Sequence, residues 1–96
     1  MTPVTISRDA DADLDGILDY SITAHGRDIA EAYLRTLHAA FDRLSDFPEL
    51  GVARGDLSGG LRSLPCGGHR IFYIVEGETV LIVRVLHKAM DPARHF

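Results

Sequence analysis

The sequence predicts an α+β domain: an N-terminal strand, an antiparallel α-helical hairpin, then a three-stranded antiparallel sheet. Three observations carry this. A short alternating stretch opens the chain, two stretches with apolar residues every three or four positions follow it, and the second half holds three β-rich runs separated by turns. At 96 residues, the span 1–96 makes one domain with a modest core.

The opening "TPVTIS" puts Val4 and Ile6 on one face of a strand, and Pro3 suits a strand start or an edge. A helix is expected from about Asp9 to His25. Ser7 or Asp9 can cap it, and the acids at 9, 11 and 13 complement the positive end of its dipole. Leu14, Ile17, Leu18 and Ser21 form its inward stripe, and Gly26 stops it. "DIAE" reads as a capping box, with Asp28 at the cap and Glu31 reaching back. The second helix runs to about Phe47, its stripe formed by Ala30, Tyr33, Leu34, Leu37, Phe41 and Leu44. About two residues separate the helices, which makes them an antiparallel pair.

"FPELGVARGDLSGG" is a connector by composition. Strands then cover about Leu61 to Pro65, His69 to Val75 and Thr79 to His87, with "EGE" as the tight turn between the last two. Alternation places Ile71, Tyr73 and Val75 on one face of the middle strand and Arg70, Phe72 and Ile74 on the other. In the last strand Val80, Ile82, Arg84 and Leu86 oppose Leu81, Val83, Val85 and His87. Neither face is polar enough for water, and only one meets the helices. The other is expected to want a partner, or the tail Met90 to Phe96, as a cover. Tyr20, Ile22 and Ile29 also fall off or at the margin of the inward stripes.

Charge excludes one class of function. Residues 1–50 hold four arginines against ten acids, a net of −6, and residues 51–96 hold six basic residues against four acids, a net of +2. A protein that grips nucleic acid alone needs a clustered basic face, and this chain has one lysine and a formal charge of −4. No apolar run reaches the roughly 18 to 20 residues of a membrane span, and no basic-then-apolar leader marks the N-terminus. With a single cysteine, Cys66, the expected setting is the reducing cytoplasm.

"ADADLDGILDY", "AEAYLRTLHAAFDRLSDFPELG" and "LRSLPCGGHRIFYIVEGETVLIVRVLHKAMDPARHF" cover nearly the whole chain. The last block contains Leu-Arg-Ser-apolar-Pro at 61–65, His-x-Ile-Phe-Tyr at 69–73, and Arg-apolar-Leu-His-x-x-Met-Asp at 84–91. In these phrases the sequence resembles the ParE family of toxins, within the ParE/RelE superfamily of bacterial type II toxin–antitoxin modules. The resemblance implies the fold above and a ParD-like ribbon-helix-helix antitoxin, in a heterotetramer or larger complex. The antitoxin's C-terminal segment would wrap the toxin, laying apolar residues between hairpin and sheet or adding a strand at the sheet edge. The family's best-known activity, inhibition of DNA gyrase, is the expected function, with no catalytic centre and no cofactor. The expected antitoxin contacts are Leu14, Ile17, Tyr20, Phe72, Ile74, Ile82 and Arg84; the expected target contacts are Arg62, His87, Met90, Asp91, Arg94 and Phe96.

The superfamily also implies a rival. RelE-like members cleave mRNA on the ribosome with clustered basic residues plus a His or Tyr, and Arg62, Arg84 and His87 would stand in those roles. Against this, "GVARGDLSGGL" carries only Arg54 where a lysine-rich stretch is expected. A third reading is a decayed, non-toxic relative kept for an antitoxin complex that represses transcription.

Other candidates have plainer explanations. His87, Asp91 and His95 are spaced by four, yet Pro92 breaks the helix that would gather them round a metal, and Asp91 fits better as the cap of a short turn. His69 and His87 read as a polar rim, with a pH-sensitive contact as the alternative. Cys66 reads as a passive thiol because nothing orients His69 as its base. Tyr33, Leu37 and Phe41 read as core.

Overall fold

A computed structural model describes residues 2–96. Its elements are β1 (Val4–Ile6), α1 (Arg8–His25), α2 (Arg27–Asp46), β2 (Val52–Ala53), β3 (Leu61–Cys66), β4 (His69–Glu76) and β5 (Thr79–His87), followed by a 3-10 turn, Pro92–Arg94. The strands form one mixed sheet in the order β1-β5-β4-β3-β2. β3, β4 and β5 are antiparallel neighbours, while β1 lies parallel to β5, with Val4 opposite Val80 and Ile6 opposite Ile82. The expected three-stranded sheet is therefore extended at both edges. β2 is two residues inside the glycine-rich connector, too short to leave an alternating pattern.

Ser7 caps α1, its Oγ accepting from the Ala10 N–H at 3.0 Å. The expected capping box at Asp28 does not form. Gly26 alone joins the helices, serving as the C-cap of α1 and the N-cap of α2 with φ 88° and ψ 164°, a backbone region that is essentially glycine's own. A one-residue joint leaves Asp28 inside the first turn of α2, where its charge suits the helix dipole but it has no cap to form.

The main core lies between the hairpin and one sheet face. Leu14 and Ile17 of α1 and Leu37, Phe41 and Leu44 of α2 pack on Ile71, Tyr73, Val80, Ile82 and Val85. Strict alternation fails in β5. The register passes from Phe72 opposite Arg84 to Tyr73 opposite Ile82, so Val83 has no partner and the strand bulges. The bulge turns Val85, rather than Arg84, inward beside Val80 and Ile82.

The second sheet face is not the open surface that its composition suggested. Phe72, Leu61 and Leu86 are buried there against Leu57, Ile74 and Val83. The Phe96 ring lies on Phe72 at 5.1 Å, and the Arg54 guanidinium sits 5.8 Å from the same ring. The connector and the tail together cover what the helices do not reach.

The connector is pinned at Gly51. Its N–H donates to the Tyr73 hydroxyl at 2.8 Å, that hydroxyl donates to the Pro48 carbonyl at 2.7 Å, and Arg62 donates to the Gly51 carbonyl at 2.7 Å. A Cβ on Gly51 would stand 2.7 Å from the Tyr73 ring and 2.8 Å from the Ser63 carbonyl. No helix among the described residues is long and apolar enough to cross a membrane.

Candidate functional site

Where β1 ends, the outer edge of β5 keeps unpaired backbone groups at the bulge, and α1 supplies their partners. The Ser7 hydroxyl donates to the Val83 carbonyl at 2.8 Å, and Asp13 accepts the Val85 N–H at 2.9 Å. Asp13 also holds Arg84 in a two-pronged pair, with Nε and Nη2 each 2.8 Å from a carboxylate oxygen. Both side chains are mostly shielded from water. This pairing holds the Arg84 guanidinium above even its usual basicity.

Beside that pair runs a groove of about 800 Å³ between α1, the start of α2, the end of β5 and the tail. Ile17 forms part of its wall, and Tyr20, Ile29 and Met90 stand exposed along it, Tyr20 at 73% of its full accessibility. Tyr20 and Ile29 are large apolar side chains that the helical stripes left over, and Met90 joins them from the tail. A more open depression of about 850 Å³ lies elsewhere, lined by Phe47, Leu50 and Val75 with Asp46, Glu49 and Glu78 around them. The two differ in rim chemistry, histidine in the first and carboxylate in the second.

One wall of the groove is a small polar cluster. The Tyr33 hydroxyl accepts from the Gly68 N–H at 3.0 Å and bonds to Nδ1 of His69, whose ring meets that of His87 edge-on at 5.3 Å. Burial pushes the Tyr33 phenol up, against the lowering effect of the Gly68 bond. Burial, reinforced by the neighbouring His87, holds the His69 imidazole below its ordinary value. Tyr33 belongs to the helical stripe, but its ring tip is a hydrogen-bonding group. The signal was the polar end of a tyrosine at a stripe margin, facing "PCGGH". Cys66 is partly buried beside it with its thiol pushed up by that burial, the state of an unreactive cysteine.

The proposed nuclease trio does not converge. Arg62 is committed to the Gly51 carbonyl and sits opposite Tyr73, which itself faces Ile82, so about 10 Å of sheet separates it from β5. His87 aligns with His69 and Cys66, four residues further along β3, about 13 Å more. Arg84 is taken by Asp13.

Of the expected antitoxin contacts, Ile17, Tyr20 and Arg84 line the groove, whereas Leu14, Phe72 and Ile82 are interior side chains, unavailable on a surface because they complete the two cores. Ile74 is half-buried on the second face. Among the expected target contacts, His87 and Met90 line the groove, Asp91 and Arg94 belong to the 3-10 turn that follows, Phe96 lies on Phe72 on the second sheet face, and Arg62 is bound to the Gly51 carbonyl two strands from β5. Asp91 caps the 3-10 turn through the Ala93 N–H at 3.1 Å, and His95 lies 3.4 Å from Arg84 rather than gathering a metal with His87.

Residues 4–92 match the family described as the ParE toxin of type II toxin–antitoxin systems, parDE. Toxin ParE1 of Mycobacterium tuberculosis is 43% identical over 91 residues, covering 94% of this chain and 93% of that protein. Toxin ParE1 of Caulobacter vibrioides is 39% identical over 95 residues, covering 99% and 98%. Among solved structures, a chain of the chromosomal ParDE system of P. aeruginosa superposes with a TM-score of 0.80 at 24% identity, covering 91% of this chain and 96% of that one. A chain of the RelBE2 toxin–antitoxin complex of M. tuberculosis gives 0.61 at 26%, covering 91% and 98%. With a family match along almost its whole length and full-length relatives well above 30% identity, the chain belongs to the ParE toxin family of type II toxin–antitoxin systems.

Proposed function

We propose that this toxin works by binding rather than by catalysis, inhibiting DNA gyrase through protein–protein contact until a ParD-like ribbon-helix-helix antitoxin neutralises it. The observation that carries the non-catalytic half is the engagement of the basic candidates: Arg84 is held by Asp13 and Arg62 by the Gly51 carbonyl, about 10 Å of sheet apart. Cleaving RNA needs a base at the ribose hydroxyl and cations round one phosphate, and these side chains do not share a point in space. The toxin–antitoxin systems to which both solved relatives belong support an antitoxin partner. The groove is its seat, because Tyr20, Ile29 and Met90 stand exposed along it beside a packed hairpin. The target surface is the tail, where Met90 stands exposed and Arg94 ends a 3-10 turn with no buried residue.

Purified toxin is expected to block supercoiling by gyrase or to accumulate cleaved DNA, and added antitoxin to reverse it. Gyrase left untouched at large excess, while expression still stops growth, would remove this target. Codon-positioned mRNA cuts that vanish in Arg84→Ala or His87→Ala would assign the toxicity to RNA cleavage instead.

A further inference from the structure

Four of the five histidines, His25, His69, His87 and His95, line the groove, although they come from α1, β4, β5 and the tail. The fifth, His38, packs edge-on against Phe41 of α2 and lies outside it. Among the described residues the only carboxylate lining the groove is Asp13, already shared between Arg84 and the Val85 N–H. An apolar floor with an imidazole rim and no free carboxylate complements a segment that carries acids beside its apolar residues.

We propose that the groove is a pH-tuned seat for an acidic, amphipathic segment of the antitoxin, with His25, His87 and His95 taking up protons as that segment binds. The proposal rests on the antitoxin reading above and adds the chemistry of recognition to it. A carboxylate brought beside an imidazole favours the charged form, so association and proton uptake are linked. Imidazoles change charge between about pH 5 and 8, which places the effect in the physiological range.

Each rim histidine has defined neighbours. His87 faces His69 from β4, with Tyr33 of α2 beyond it. Its Nδ1 accepts the Ala89 N–H at 3.1 Å, so Nε2 carries the hydrogen offered to a partner carboxylate, and proton uptake at Nδ1 exchanges the Ala89 bond for that ion pair. His95 faces Arg84 of β5, behind which stand Asp13 and Asp9 of α1. An incoming carboxylate can serve both cations, relieving the repulsion that protonated His95 would otherwise meet. His25 ends α1, where the helix dipole favours a cation, and is followed by Arg27 and Asp28 of α2. His69 stands outside the set because burial, and then the neighbouring His87, disfavour its charged form.

The test measures binding of the ribbon-helix-helix antitoxin encoded in the same module, by calorimetric competition at pH 8.0, 7.0 and 6.0 in buffers of differing ionisation enthalpy. Net proton uptake at pH 7.0 and an affinity rising roughly tenfold from pH 8.0 to 6.0 are expected, since one unit of pKa increase on one imidazole gives up to about tenfold. The H25Q/H87Q/H95Q protein, checked for folding by circular dichroism, should lose most of that slope and H38Q none. The single variants, read alongside, should each lose part of it. A tight complex with no proton uptake, or a slope that persists in the single and triple variants, would overturn the proposal and leave the antitoxin reading standing. No complex at any pH would overturn both.

Discussion

Tyr33 and His69 show how one residue pair converts a strand turn into a pH-sensitive element. The Tyr33 hydroxyl holds the Gly68 N–H and the His69 ring together, and the imidazole is kept neutral by burial first and by its His87 neighbour second. The consequence for stability has a definite sign. The folded imidazole has a lower pKa than the unfolded one, so above about pH 6.5 both forms are neutral and its environment costs nothing. As pH falls from there through the folded value, the unfolded chain binds the proton first and stability drops. Urea titrations should therefore show wild type losing stability between pH 7.5 and 5 more steeply than His69→Gln. Parallel curves would place the pH dependence elsewhere. The same acid range is expected to tighten antitoxin binding, because an incoming carboxylate favours the charged form of an imidazole beside it, so the two effects separate in a single series.

At the level of elements, α1 is joined to the sheet by its apolar stripe and by two side chains near its start, Ser7 and Asp13, that meet the bulged edge of β5. Ser7 and Asp13 satisfy two backbone groups there, and Asp13 also orders Arg84. Asp13→Ala should cost about 2–3 kcal/mol in urea unfolding, because it leaves the Val85 N–H and a largely shielded guanidinium without partners. A loss under about 0.5 kcal/mol would mean that water replaces the carboxylate freely. Arg84→Met is expected to be milder, since the Asp13 carboxylate it leaves behind keeps its bond from the Val85 N–H. The groove follows from the same arrangement: the bulge turns Val85 into the core, and Arg84 pairs with Asp13 at the groove wall.

Across the whole molecule, two apolar clusters share one sheet, and the smaller depends on the connector and the tail. Phe96 closes it by lying on Phe72. Phe96→Ala should lower stability by roughly 1 kcal/mol, the scale of one partly exposed aromatic pair, with the helical circular dichroism unchanged; no loss would show that the tail does not seal the face. Much of this architecture was legible beforehand. The apolar stripe of α2, the Ser7 cap, the Gly26 stop and the "EGE" hairpin are set by neighbours within a few positions, and so they could be read from local pattern. What stayed hidden joins distant segments: the parallel pairing of β1 with β5, the bulge at Val83, the Asp13–Arg84 pair 71 positions apart and the Phe96 cover. The candidate site divides in the same way. Tyr20 and Ile29 announced themselves as apolar residues outside the stripes, whereas nothing local could gather His25, His69, His87 and His95 around one groove. By itself the sequence determined family, element order and most of the main core, because periodicity and phrase spacing are short-range properties. Only the tertiary structure decided which polar groups are already engaged and which remain free for a partner, because burial and pairing depend on residues that the chain brings together from its two ends.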